Sequence, residues 1–291
     1  MPEEILKLGI PAGSLQKATV EIFGKAGFCL ADSDRNYFPR IDDEQIRPIY
    51  LRAQEMSRYV EDGVLDAGIT GYDWIMENES DVVEVAELLY SKTTSKPARW
   101  VLAVPDESKT ADPKDLKGCI VATELVKVTK KYFADKNIDV KVEFSWGATE
   151  VKARLVDAIV ELTETGSSLR ANNLREIDTV ITSTTRFIAN KRSWQDKFKR
   201  EKIENIVILL KAAIDARSKV GLKMNLKSSD LEPILKLLPA EKSPTISSLA
   251  DSDYVAVEVI IEDKAERTIV PALKRAGASG IITYPLNKVI H

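Results

Sequence analysis

The stretch from Asp157 to Leu169, D-A-I-V-E-L-T-E-T-G-S-S-L, decides how the rest of this 291-residue chain is read. It begins inside a dense apolar run, Leu155–Leu162, which suits a strand buried on both faces. At Thr163–Ser168 it breaks into small hydroxyl residues around one glycine, and a helix-like pattern resumes through Leu169, Ala171 and Leu174. The layout is strand, tight polar loop, helix start. Backbone N–H groups at a helix start are unpaired and point the same way, so they attract an anion. Gly166 lets those groups approach a ligand closely, and Thr165, Ser167 and Ser168 add hydroxyl donors. No lysine follows the glycine, so this is not the nucleoside-triphosphate loop; a single phosphomonoester suits it better. Asp157 and Glu161 stand four apart on the strand and therefore share a face. Two carboxylates beside such a nest are good acceptors for a sugar diol, and the combination suggests a ribose 5-phosphate. The same residues also suit an ordinary turn after a buried strand, with two solvated acids.

Working outward, the length implies more than one domain with ample apolar residues for real cores. Formal net charge is −3, with 42 basic and 45 acidic residues interspersed, which argues against a nucleic-acid surface. Cys29 and Cys119 match no disulfide framework or metal spacing and suit a reducing cytosol. The N-terminal segment lacks a signal-peptide core, and no apolar run approaches a membrane span, so a cytoplasmic protein is expected. The single histidine is His291, which nearly excludes histidine general-base chemistry and histidine-ligated zinc.

Upstream, Leu6–Ile10 reads as a first strand, Pro11–Ser14 as a turn, and Ser14 as the cap of a helix ended by Gly27. Arg47–Arg52 reads as extended, with Pro48 confining it to an edge. Arg52 sits at the junction with the next helix, where its fork of donors suits a diphosphate; a surface pair with Glu55 is the other reading. Val64–Gly71 is a short buried strand. Cys119–Ala122 is a strand feeding a helix from about Thr123, and Trp100 and Trp146 read as packing residues. Asp178–Ile188 is a strand returning to the first lobe, and Lys191–Ser218 a long amphipathic helix. Two lobes are thus joined by crossings near 92–98 and 178–182. The last segment runs strand, helix, strand, strand, helix, strand, the ferredoxin-like order.

The motifs E-L-T-E-T-G-S-S-L-R-A-N-N-L (161–174), D-A-G-I-T-G-Y-D (66–73) and the final Y-P-L-N-K-V-I (284–290) resemble those of the ATP phosphoribosyltransferases, which open histidine biosynthesis. The resemblance runs along essentially the whole chain and fits the long form. It implies an α/β fold: a two-lobed periplasmic-binding-protein-like catalytic body, lobe I at 1–94 and 181–217 and lobe II at 95–180, followed by a ferredoxin-like βαββαβ regulatory domain at 218–291. The implied reaction joins adenine N1 of ATP to 5-phosphoribosyl diphosphate (PRPP), giving N1-(5-phosphoribosyl)-ATP and diphosphate, with Mg²⁺ as cofactor. Glu164, Thr165, Gly166, Ser167 and Ser168 would hold the 5-phosphate, Asp157 and Glu161 the ribose hydroxyls, and Arg52 the diphosphate or triphosphate. Thr70, Gly71 and Glu150 would lie near the nucleotide, AMP being a further possible ligand. Ser243, Thr245 and Leu249 would belong to a site for the inhibitor L-histidine, and dimers assembling to hexamers are implied. One departure stands out: Ala12 replaces the family's usual lysine, so a catalytically weak member is a further reading. The competing class is a non-catalytic two-lobed small-molecule binding module.

Overall fold

The computed structural model describes residues 4–31, 37–90, 97–239, 244–251 and 253–291. Ser243 lies outside the described residues. The chain divides into two compact units, Met1–Val207 and Ile208–His291.

The first unit holds two five-stranded sheets. In lobe I the elements run β1 (Leu6–Ala12), α1 (Gln16–Ala26), β2 (Leu30–Ala31), β3 (Arg40–Ile41), β4 (Ile46–Arg52), α2 (Ala53–Glu61), β5 (Ala67–Gly71), α3 (Tyr72–Asn78) and β6 (Val83–Leu88). Lobe II adds β7 (Ala98–Pro105), β8 (Ile120–Thr123), α4 (Val126–Asp135), β9 (Lys141–Phe144), α5 (Thr149–Lys152), β10 (Ala158–Thr163), α6 (Ser167–Ala171) and β11 (Leu174–Ser183). The chain then returns through β12 (Thr185–Ala189) to lobe I, followed by α7 (Lys191–Gln195) and α8 (Lys197–Asp215).

Strand order in lobe I is β4-β1-β5-β12-β6, and in lobe II β11-β7-β10-β8-β9. β4 is the edge strand, as Pro48 requires, since proline cannot donate to a neighbour on both sides. β1 runs parallel to β4 and β5, and β10 runs parallel to β8. Such strands are covered on both faces and read as unbroken apolar runs. In β10, Ala158 and Val160 join Trp100, Leu102 and Phe133 on one face, while Ile159 joins Ala122, Leu169 and Leu174 on the other.

Several boundaries differ from those expected. β10 starts at Ala158, and Leu155 is 79% exposed in the preceding turn; an apolar residue in a run need not belong to the strand the run contains. The segment read as one strand from Asp178 to Ile188 is two, broken at Thr184, so the second crossing lies at Thr184 rather than at 178–182. The long helix is interrupted at Asp196, whose carboxylate accepts from Lys199 N at 2.9 Å and so starts a second helix. Gly13–Leu15 forms a 3₁₀ turn before α1, with no side-chain cap from Ser14, and α1 ends on left-handed Gly27 (φ 102°).

The second unit, entered within α8, contains β13 (Lys219–Lys227), α9 (Leu231–Leu235), β14 (Thr245–Ser248), β15 (Tyr254–Glu262), α10 (Asp263–Arg275) and β16 (Ser279–Pro285). Its four-stranded sheet has the order β14-β15-β13-β16 with every pair antiparallel, which is the ferredoxin-like arrangement. Leu222, Met224, Val257 and Ile261 of the sheet bury against Ile234 and Leu273 of the two helices.

Candidate active site

In both lobes the loops after parallel strands gather at one cleft of about 560 Å³. Ligands in open α/β sheets bind beyond the carboxyl ends of strands. Lobe I brings Ala12, Gly13 and Ser14 after β1, Arg52 and Gln54 after β4, and Gly71, Asp73 and Trp74 after β5. From lobe II come Glu124 after β8 and Glu161 to Thr165, Ser167 and Ser168 at the end of β10.

The loop after β10 is built as its sequence dictates. Gly166 occupies the left-handed region (φ 71°) as the N-cap of α6, a conformation that costs a side chain 1–2 kcal/mol or more. Its own N–H donates to Thr163 Oγ1 at 2.7 Å, which fixes the turn. Arg170 donates to Thr165 O at 3.0 Å from behind. Among the described residues the N–H groups of Thr165, Ser167 and Ser168 have no partner. All three residues line the cleft, and the exposed hydroxyl of Thr165 donates to that of Ser167 at 3.0 Å. Gly166 itself is buried, so its part is to shape the loop.

Three carboxylates lie beside the loop. Glu161 is half-buried; desolvation first, then the charges of Glu150 and Glu124, push its carboxyl up to about 7. The Thr149 hydroxyl and the Leu162 N–H, 2.9 Å away, oppose that rise. Glu150 accepts from the Ser168 hydroxyl. Glu124 is held above its usual range by desolvation, against the hydrogen bond of Gln54 and the positive charge of Arg52. Glu124 and Arg52 thus face each other across the cleft. Glu55 pairs instead with Arg58, at 3.9 Å.

Two expected site residues fall elsewhere. Asp157 precedes β10 at the end remote from the loop, and its Oδ2 accepts from Ile120 N at 2.8 Å. Four residues along an extended strand span about 13 Å, so one face does not mean one site. Thr70 is fully buried, its hydroxyl donating to Ala53 O at 2.7 Å to tie β5 to the start of α2; the cleft floor is Gly71. Trp146, expected to pack, is 91% exposed, edge-on to Phe144, whereas Trp100 is buried. Thr245 lies on the exposed strand β14, and Leu249 follows it, its N–H bonded to Tyr254 O.

Sequence reading missed Glu124, Gln54 and Asp73. The signal was present for Glu124: a carboxylate immediately after the apolar strand I-V-A-T. Asp73 is fully buried at the cleft floor, where desolvation raises its carboxyl above the usual range. It accepts from Ser183 Oγ at 2.7 Å and Trp100 Nε1 at 2.6 Å, the two strands that carry the crossings.

Comparison with known proteins agrees with this architecture. The family model for ATP phosphoribosyltransferase matches residues 52–212, and that for the HisG C-terminal domain matches 216–288. The ATP phosphoribosyltransferase of Chlorobium chlorochromatii is 55% identical over 99% of this chain and 98% of its own length. That of Pelotomaculum thermopropionicum is 55% identical over 98% and 99%. Among solved structures, the ATP phosphoribosyl transferase (HisG:HisZ) complex from Thermotoga maritima superimposes with a TM-score of 0.62 at 26% identity, covering 72% of this chain and 99% of that one. The periplasmic aliphatic sulphonate binding protein SsuA of Escherichia coli shares only the fold, at 15% identity and a TM-score of 0.50, over 97% of this chain and 86% of its own. A two-lobed body with a polar cleft, followed by a ferredoxin-like unit and matched end to end by such relatives, belongs to the ATP phosphoribosyltransferase family, the enzymes of the first step of histidine biosynthesis.

Proposed function

We propose that the cleft takes PRPP on lobe II and ATP against lobe I, and joins adenine N1 to ribose C1 with loss of diphosphate. What carries the reading is the Thr163–Ser168 loop: N–H groups without a partner among the described residues, and hydroxyls, on the rim, with the half-buried carboxylate of Glu161 two residues upstream of the loop. The loop holds the 5-phosphate. Glu161 accepts from the ribose hydroxyls and, ionised, stabilises the positive charge that develops at C1 as diphosphate departs. Glu150 orients Ser168, and Arg52 faces the phosphates of the second substrate. Adenine N1 is itself a competent nucleophile, so alignment of two anionic substrates is the main task. Arg52 and Glu124, from opposite lobes, support that alignment.

The family acts on ATP and PRPP with a divalent metal, and Mg²⁺ is the ion we assign. Among the described residues no cluster of three acidic, histidine or cysteine side chains could cage a metal. Glu161, Glu150 and Glu124 nevertheless concentrate negative charge where a cation carried by substrate oxygens would be welcome. When bound, Mg²⁺ would offset charge on the leaving diphosphate.

We assign the catalytic lobes to 1–94 with 184–217 and to 95–183, the return to lobe I moving from 181 to the break at Thr184, and the regulatory domain to 218–291. No helix among the described residues is long and apolar enough to cross a membrane, and the relatives are biosynthetic enzymes, which supports a cytoplasmic site of action. The Thermotoga relative is a complex by its name; homo-oligomers, dimers to hexamers, are our assignment here, with AMP as a further cleft ligand.

The test is diphosphate release in a coupled assay. Release that requires both ATP and PRPP is expected; a protein that binds either without turnover is a binding module. For the second unit, removal of Lys219–His291 should leave a residual activity insensitive to L-histidine. Persistence of inhibition would refute the regulatory assignment.

A further inference from the structure

α3 belongs to lobe I by sequence and sheet connection, yet its polar contacts reach lobe II. At its start Asp73 holds Ser183 and Trp100, and Trp74 stands edge-on to Trp100 with centroids 6.0 Å apart. At its end Glu77 accepts from two N–H groups in the first turn of α4, Lys127 N and Val128 N, both at 3.0 Å. Glu79 pairs with the Lys127 ammonium.

The Glu77 contact is unusual in kind. A helix is normally capped by a residue just before it, through a side-chain oxygen. α4 has Leu125 in that place, with no side-chain cap. The missing acceptor comes from a residue 50 positions earlier, on the other lobe. A carboxylate there also meets the positive end of the helix dipole.

The capped turn is next to the chemistry. Glu124 lies only three residues before Lys127, at the end of β8, and lines the cleft opposite Arg52 and Gln54. The short link from Glu124 to α4 is stiffened by Leu125 N donating to Thr123 Oγ1 at 3.0 Å. Glu77 itself does not line the cleft.

We infer that Glu77 is a positioning residue: by capping α4 across the lobes it sets Glu124 in register with Arg52 and Gln54, and so aligns the lobe II half of the cleft with the lobe I half. The inference rests on the cleft assigned above, and the wild-type enzyme in the same assay reports on that assignment independently.

The experiment compares Glu77→Ala and Glu77→Gln in the full-length chain. Glu77→Ala should lower kcat about tenfold, the scale that the loss of one cap can produce. KM for PRPP should stay within about twofold, because the loop after β10 is held by its own contacts. Glu77→Gln, which keeps one acceptor, should recover part of the loss. A double-mutant cycle with Glu124→Gln then separates positioning from packing. If Glu77 acts through Glu124, removing it in the Glu124→Gln background should cost less than about twofold. A lowered melting temperature with unchanged kcat would overturn the inference, as would losses that multiply independently. Should Glu77→Ala fail to fold, the Glu77→Gln and Glu124→Gln pair carries the same cycle, and wild-type kcat in Glu77→Gln together with an additive double variant would overturn it.

Discussion

Replacing Gly166 by valine should abolish PRPP binding and lower kcat/KM for PRPP by at least about a hundredfold, the scale of losing preorganised donors at an anionic centre. The reason is conformational. Gly166 sits at φ 71°, where a β-branched side chain is a genuine outlier. Relief requires the turn to rotate, and rotation swings the N–H groups of Ser167 and Ser168 away from a common target. Space alone would not forbid the change: a Cβ would come within 2.7 Å of Arg170 Nη1, the far end of a flexible side chain. The loop sits at the rim of lobe II, outside the apolar clusters, so the fold should survive with a stability loss of about 1–3 kcal/mol. Calorimetric titration with PRPP, beside a far-UV spectrum and melting temperature, checks both halves. Normal PRPP affinity in a folded variant would remove the phosphate loop from the argument.

The same loop shows what could be read ahead of the structure. Small polar residues around a glycine, after an apolar run and before a helical pattern, carry their own geometry, so the strand, the turn and the helix start were legible. So was the edge position of β4, because Pro48 lacks a donor. Periodicity did not say where along the strand a face matters. Asp157 and Glu161 obey one alternation, but only Glu161 stands at the carboxyl end where the loops converge. Thr70 was misjudged for a related reason. A motif marks a neighbourhood, and which member faces the ligand depends on what the others must hold; Thr70 is spent on Ala53 O. Lobe-to-lobe contacts such as Asp73 with Ser183, 110 residues apart, leave no trace in local sequence. Charge neighbours are equally silent, since Glu124, Glu150 and Glu161 meet only after β8, α5 and β10 are placed side by side.

That meeting of acids leads to the prediction in which activity and stability move in opposite directions. Glu161 has its carboxyl pushed up to about 7 from an ordinary 4.5, first by desolvation. Between those values the folded protein binds a proton that the unfolded chain has lost. The stability this group contributes is therefore fully present below about pH 4.5 and is lost as pH rises through about 7. The ionised form, disfavoured by the fold, is the one that can accept ribose hydroxyls and face a developing cation. In the wild type, kcat/KM for PRPP should accordingly rise with pH and level off above about 7, while the melting temperature falls over the same range. Glu161→Gln should lower kcat by about 10²–10³ and remove that ionisation from the pH profile. Its melting temperature at pH 8 should equal or exceed that of the wild type, because no charge need be buried. On the function proposed above, substrate offsets that unfavourable charge with its hydroxyl donors and the positive charge developing at C1. A Glu161→Gln variant with near-normal kcat and an unchanged pH profile would place the ribose elsewhere, and a stability gain without loss of turnover would leave the carboxylate with no catalytic part.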